Sequence, residues 1–335
     1  VPPALATPAA ELAPIPWEPA PDGCDQVVWR HSGNPVVGAW NVPGGLGIFN
    51  SAVVRFGSKF AGIFRVEKKR RFPKLHAGFS DNGLDWQIEP EPIEFATDVE
   101  PRPLNEYAYD PRVCLLDGSF YLTWCAGHNG PTIGVAYTSD FQTYHRIENS
   151  FLPFNRNGVL FPRKIDGYYW MLSRPSDDGH TPFGDIYISR SPDLVHWGGH
   201  QLVMKRGGLD QGVWWQLTKI GAGPTPIETP LGWLILYHGV MDTCKGFEYS
   251  MGAAILDLEK PWIVRYRKTD LLLAPEAEYE VTGHVDNVVF PCAALHDEQL
   301  GRLAIYYGAA DTTTCVAYAE LDPLLDSIVN DSIVF

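Results

Sequence analysis

Short runs rich in Tyr, Trp, Phe, Ile and Val alternate along this chain with turns rich in Gly, Ser and Asp. Such runs, bounded by Gly and Asp, predict strands joined by turns. Convincing helical periodicity is absent, so the reading is all-β. The runs also recur as pairs: an aromatic or β-branched run opening at a Gly turn, then a Ser/Asp-rich turn closed by an aromatic. The first copy is GSKFAGIFRVE (57–67) with GFSDNGLDW (78–86), and the second is DGSFYLTWCAG (117–127) with AYTSDFQTY (136–144). The third is DGYYWMLSRP (166–175) with YISRSPDLVHW (187–197), and the fourth is LGWLILYHGV (231–240) with AAILDLEKPW (253–262). LGRLAIYYGAAD (300–311) with VAYAELDPL (316–324) makes the fifth.

Five copies over roughly 310 residues give about 62 per unit, enough for a four-stranded blade with long loops. The pattern therefore predicts a five-bladed β-propeller over 15–335, with a β-sandwich carrying accidental repetition as the alternative. Residues 1–14, rich in Pro and Ala, read as an extended or disordered arm without the charged and apolar regions of a secretory signal. In a propeller the aspartates of the repeated turns bond nearby backbone and the closing aromatic packs between blades. Asp81, Asp85, Asp140, Asp193 and Asp257 are accordingly assigned to architecture. Arg65, Arg174, His238 and Asp311 sit beside apolar runs in four different units, and in-frame positions of differing chemistry predict side chains converging on a central funnel.

Composition narrows the functions. With 335 residues, 45% of them hydrophobic, the chain can bury a large core. Its formal charge of −14 disfavours nucleic acid or an anionic membrane as partner. No apolar run is long enough to span a bilayer. Six cysteines without a CxxC pair give neither a disulfide scaffold nor a structural zinc site, and a reduced, cytoplasmic compartment is expected. Cys114, Cys125 and Cys292 read as small packed hydrophobes.

Phosphate loops, nucleophile elbows and zinc helices are missing. His196 and His200 lie in a turn-rich stretch with no helix to join them, so no metal is expected. More informative are cations set in apolar sequence: Arg156 and Arg163 in FNRNGVLFPRKIDG, Arg174 near His180 in SRPSDDGHTPFGD, and Lys219 in WWQLTKIGAGPTP. Arg and Lys are rarely buried without an anionic partner. Either each pairs with a carboxylate, or several share an oxyanion such as phosphate. The 11 Trp and 15 Tyr suit sugar faces, although most must be core. In NEYAYDPRVC (105–114), Pro111 predicts an extended, directionally held Asp110, either a turn residue or a positioned acid.

From Ile15 to about Asp326 the chain resembles glycoside hydrolase family 130, the mannoside phosphorylases, and most closely the branch acting on β-1,4-mannosides. The resemblance is carried by IFNSAVV (48–54), YDPRVC (109–114), GPTIGVAYT (130–138), FNRNGVLFPRKI (154–165), SRPSDDGHTPFGD (173–185), TKIGAGPTP (218–226), GWLILYHGV (232–240), FPCAALHD (290–297) and IYYGAADT (305–312). It implies a five-bladed propeller, agreeing with the repeat count. It also implies Asp110 as general acid, with phosphate held by Arg156, Arg174, Lys219, His238 and Tyr249. Asn50, Ser51 and Arg65 would contact the sugar, and Tyr109, His180 and Asp311 the acceptor end.

The implied reaction is inverting, reversible phosphorolysis of a β-1,4-linked mannoside, a mannooligosaccharide or mannosyl-N-acetylglucosamine, to α-mannose 1-phosphate and a shortened sugar. No cofactor is needed, and the proton would pass through the mannose 3-hydroxyl. A β-mannoside hydrolase and a noncatalytic sugar-binding propeller are the alternatives. A homo-oligomer is compatible with the sequence, which identifies no interface.

Overall fold

The computed structural model describes residues 12–96, 106–127, 129–177, 183–207 and 213–332. Among these residues, twenty-two strands form five sheets arranged as the blades of a propeller. In chain order they are β1 (Trp29–Arg30), β2 (Gly45–Phe56), β3 (Lys59–Lys68), β4 (Lys74–Ser80), β5 (Gln87–Ile88), β6 (Phe95–Ala96), β7 (Ala108–Leu116), β8 (Ser119–Gly127), β9 (Pro131–Thr138), β10 (Tyr144–Ile147) and β11 (Asn155–Leu160). There follow β12 (Tyr169–Pro175), β13 (Ile186–Ser191), β14 (Gly198–Met204), β15 (Lys219–Ala222), β16 (Ile227–Thr229), β17 (Gly232–Thr243), β18 (Gly246–Leu256), β19 (Val264–Arg267), β20 (Val289–Asp297), β21 (Arg302–Ala309) and β22 (Thr313–Glu320).

Blade 1 runs β2-β3-β4-β5 and blade 3 runs β11-β12-β13-β14. Blade 2 runs β7-β8-β9-β10, with β6 added outside in parallel. Blade 4 runs β15-β17-β18-β19, and β16 extends its first edge. Blade 5 runs β20-β21-β22, and its outer strand is β1, brought from the other end of the chain. Each repeated sequence pair thus covers the second and third strands of a blade. The first strands, which carry IFNSAVV, YDPRVC, FNRNGVL, TKIGA and FPCAALHD, lie outside the repeat as read.

Five apolar clusters fill the gaps between neighbouring blades. Trp86 of blade 1 packs edge-on to Phe64, with ring centroids 5.0 Å apart, in the cluster shared with blade 5. The turns between third and fourth strands repeat in detail. Asp140 Oδ1 accepts the N–H groups of Gln142 and Thr143 (both 2.8 Å), Asp193 Oδ1 those of Val195 and His196 (2.9 and 2.8 Å), and Asp257 Oδ1 those of Glu259 and Lys260 (both 2.9 Å). The closing aromatic then donates backwards: Trp86 Nε1 to Gly83 O, Tyr144 OH to Phe141 O and Trp197 Nε1 to Leu194 O.

Two expectations need correcting. In blade 1 the turn acceptor is Asn82, whose Oδ1 takes the N–H groups of Leu84 and Asp85. Asp81 instead pairs with Lys59 at the surface, and Asp85 accepts from Asn82 Nδ2. A carboxamide oxygen caps a turn as a carboxylate does, so residue type alone misplaced the position. The fifth copy ends not in a turn but in an α-helix, Leu321–Asn330. Leu321, Leu324, Leu325 and Ile328 are its buried face, a period the flanking Asp-Pro and Asp-Ser obscure.

Blade 5 needs no closing turn because β1 supplies its edge, with Trp29 opposite Tyr318 and Arg30 opposite Ala317. Arg30 grips the fully buried Glu280 through Nε and Nη2, both at 2.8 Å, and Tyr307 donates to the same carboxylate. Of the N-terminal arm, residues 1–11 lie outside the described residues. Ala13 is buried and donates its N–H to Gly57 O. Among the described residues no helix is long and apolar enough to cross a membrane.

Candidate active site

The first strands of blades 1, 2 and 3 each break register beside the cavity: between Phe49 and Ala52, between Tyr109 and Arg112, and between Arg156 and Val159. Each break inserts one extra residue, a β-bulge that re-aims side chains at the inner edge of the blade. The residue at each bulge has a left-handed backbone: Asn50 (φ +50°), Asp110 (φ +52°) and Asn157 (φ +51°). Asn and Asp are the non-glycine types that tolerate this conformation best. Asp110 is therefore directed, as its position before Pro111 suggested, but not by extended backbone. The bulge, anchored on both sides by the ladder, overrides the preference imposed by proline.

Bulging frees backbone carbonyls, and Arg112 takes them up. Its Nη1 donates to Asp110 O (3.1 Å) and Pro111 O (3.0 Å), while its Nε donates to Gly223 O (2.6 Å) in blade 4. Buried in this way, Arg112 ties the blade 2 bulge to the Gly-Pro segment that interrupts the first edge of blade 4. The sequence reading passed over it. The adjacent proline, which marks a kinked strand needing a carbonyl partner, was the available signal.

These strands open on a cavity of about 400 Å³, lined by Asn50, Arg65, Tyr109, Asp110, Arg156, Arg174, Lys219, Tyr249 and Asp311. Asn157, Phe247, Val285, Val288 and Phe290 complete it. Asn157 was the more legible omission, since it occupies in blade 3 the bulge position of Asn50 and Asp110.

The lining divides by blade. On the side of blades 1, 2 and 5, Asp110 Oδ1 accepts from Asn50 Nδ2 (2.8 Å) and from Arg65 Nη1 (3.0 Å). Arg65 also donates to Glu67 Oε1 through Nε (2.8 Å) and Nη2 (2.6 Å), and its guanidinium lies over the Phe49 and Tyr109 rings. These carboxylates keep Arg65 charged against the cost of burial. Asp311, on the β21–β22 turn with φ +46°, is raised to about 6 by burial, opposed by Arg65 and reinforced by Asp110.

Blades 3 and 4 contribute cations. Arg156 Nε donates to Tyr109 OH (3.2 Å), and its Nη1 donates to Ser176 Oγ and to Asp177 O (2.6 Å). Arg174 Nη1 donates to His238 Nε2 (2.9 Å). Lys219 Nζ lies 4.5 Å from the centroid of Phe247 and 5.4 Å from that of Tyr249. Among the described residues no carboxylate lies within ion-pair distance of Arg156, Arg174 or Lys219. Burial, then the charges of Arg174 and Arg156, push Lys219 down to about 7. His238, buried and stacked on Phe290 at 4.3 Å, is held neutral by burial and by Arg174.

Other sequence candidates fall elsewhere. His238 stands behind Arg174 rather than in the cavity lining. Ser51 is fully buried, its hydroxyl 3.1 Å from Thr314 Oγ1. His180 lies outside the described residues. Arg163 forms a two-pronged surface pair with Glu228. His196 pairs with Asp193, and His200 bonds Ser189 Oγ, so the two histidines have separate partners.

Residues 15–330 match the model of glycoside hydrolase family 130, described as beta-1,4-mannooligosaccharide phosphorylase. A beta-1,4-mannooligosaccharide phosphorylase from Ruminococcus albus is 52% identical over 96% of this chain and 97% of its own length. A 4-O-beta-D-mannosyl-D-glucose phosphorylase from Bacteroides fragilis is 29% identical, over 83% of this chain and 74% of its own. Among solved structures, a beta-1,2-mannobiose phosphorylase from Listeria innocua in complex with beta-1,2-mannobiose superposes with a TM-score of 0.79. It is 26% identical and covers 90% of this chain and 99% of that one. On the match across nearly its whole length, the chain belongs to glycoside hydrolase family 130.

Proposed function

We propose that the protein catalyses inverting phosphorolysis of β-1,4-linked mannosides, releasing α-mannose 1-phosphate and a sugar shortened by one unit. The observation that carries this reading is one cavity with a bonded carboxyl at blade 2 and three cations without carboxylate partners, among the described residues, at blades 3 and 4. Asp110 is the general acid, aimed by Asn50 and Arg65. Arg156 and Arg174 grip phosphate through planar donor pairs, while Lys219 supplies a point charge and Tyr249 a hydroxyl. Asn50 and Arg65 contact the mannose being transferred, and Tyr109 and Asp311 the acceptor.

In the reaction a phosphate oxygen attacks the anomeric carbon from the face opposite the leaving oxygen. The glycosidic C–O bond breaks, and the proton of Asp110 reaches the leaving oxygen, directly or through the mannose 3-hydroxyl. Phosphate arrives as an anion, so the protein must desolvate and aim it and needs no base. An inverting hydrolase would need a second carboxylate to activate water on that opposite face. The other carboxylate in the described lining, Asp311, comes from blade 5 and lies in the field of Arg65 and Asp110, on the acid's side. His238 serves through Arg174, accepting a hydrogen bond from one guanidinium N–H and so fixing the plane of that fork.

Incubating the protein with β-1,4-mannobiose, with and without inorganic phosphate, tests the reading. Mannose 1-phosphate should form only with phosphate. Equal release of free mannose in both reactions would reject it in favour of a hydrolase.

A further inference from the structure

A second cavity, of about 570 Å³, opens beside the β3–β4 turn and is lined in part by Lys68, Arg70, Arg71, Phe72 and Glu91. A line of rings joins it to the first. Tyr109, in the wall of the candidate active site, stacks on Tyr107 with centroids 5.5 Å apart. Tyr107 in turn meets Phe72 at 6.4 Å, and Phe72 is 52% exposed. The line has a rigid base, because Tyr107 lies flat against Gly127, where a Cβ would fall 2.5 Å from the ring. An exposed aromatic ring beside several hydrogen-bond donors suits a pyranose: the ring takes the C–H face and the donors take hydroxyls.

We propose that Tyr109, Tyr107 and Phe72 form a path along which the acceptor-side sugars of a longer mannooligosaccharide leave the active site for this second cavity, with chain length read at Phe72. The inference rests on the phosphorylase reading for its direction, since Tyr109 stands at the acceptor end there. Its ligand is a neutral oligosaccharide. The basic residues around Phe72 also suit a free anion, and the test separates the two.

The experiment compares kcat/KM for phosphorolysis of β-1,4-mannobiose and mannotetraose in the wild type, Phe72→Ala and Phe72→Trp. Phe72 is a half-exposed loop residue, so the substitutions leave the core untouched. The wild type should favour the tetraose. Phe72→Ala should lower the tetraose-to-biose ratio about three- to tenfold, the size of one aromatic contact, and Phe72→Trp should restore it. An unchanged ratio in Phe72→Ala overturns the path. So does weakened phosphate saturation in Phe72→Ala with that ratio intact, which would assign the second cavity to an anion. If the wild type turns over no mannoside, the phosphorylase reading falls while the path is still decided by calorimetry with mannotetraose. Tighter binding to wild type than to Phe72→Ala then supports it, and equal or absent binding overturns it.

Discussion

The two sides of the cavity treat charge in opposite ways. Around Asp110 the protein supplies its own partners: Arg65 and Asn50 on the carboxyl oxygen, and Glu67 behind Arg65. Around Lys219 lie the rings of Phe247 and Tyr249 and the charges of Arg174 and Arg156, offset only in part by Asp177, and beside Arg174 a neutral histidine. A compensated carboxyl is a group fixed in place to act on something else. Cations crowded together in a buried setting, on a chain of net charge −14, are stabilised when an anion arrives among them. The contrast assigns the proton to one side and the nucleophile's seat to the other.

Breaking the acid side gives the largest expected effect. Asp110→Asn removes the transferable proton at little steric cost, and kcat should fall by about 10²- to 10⁴-fold. The melting temperature should stay close to that of the wild type, since an amide can still accept from Asn50. Near-normal turnover would transfer the acid role elsewhere.

On the cation side, Lys219→Ala should raise the phosphate KM by about ten- to a hundredfold, the usual range for one hydrogen bond to a charged group. The wild type adds a pH signature. With its pKa lowered to about 7, Lys219 is increasingly neutral in the unliganded protein above that pH, so binding phosphate there requires proton uptake. Phosphate KM should rise with pH above about 7, after correction for the ionisation of phosphate itself, and this extra rise should vanish in Lys219→Ala. A flat profile in the wild type would mean that Lys219 is outside the cradle.

The comparison can be sharpened more gently through Gly308. A Cβ there would fall 1.9 Å from Asn50 Oδ1, so Gly308→Ala must displace the Asn50 side chain and with it the bond to Asp110. The expected result is a loss of about tenfold in kcat with phosphate KM little changed, because only the aim of the acid is disturbed. An equal loss in both constants would show that the two sides are mechanically one unit.

The blades were legible because packing repeats. Strand periodicity, Gly-bounded runs and the aromatic that closes each turn are the same physical problem solved several times, and the sequence repeats with it. The first strands of blades 1, 2 and 3 escaped the pattern because they break it: a bulge and a left-handed polar residue, Asn50, Asp110 or Asn157, replace the alternation that marks a strand. Asp110 shows the limit of local reasoning. Proline predicted an extended backbone, and only the ladder on both sides of the bulge sets it otherwise. Arg156, Arg174 and Lys219 were conspicuous as cations in apolar sequence, yet Arg163 looked the same and proved to be a surface partner of Glu228. That distinction depends on long-range contacts. The C-terminal helix was hidden because Asp322, Pro323 and Asp326 interrupt its apolar stripe, Leu321 to Ile328, in the sequence.

The clasp formed by β1 has a consequence for how the protein comes into being. Trp29 and Arg30 are made early but can find their places only once Ala317 and Tyr318, near the opposite end of the chain, have been made. The cavity wall shares this schedule, since Asp311 joins residues as early as Asn50. Contacts so distant in sequence form slowly, because the closure entropy of nearly the whole chain must be met before they contribute. Four blades can assemble in order while the ring stays open. The cavity is whole only when blade 5, which carries Asp311, closes against blade 1, which carries Asn50 and Arg65.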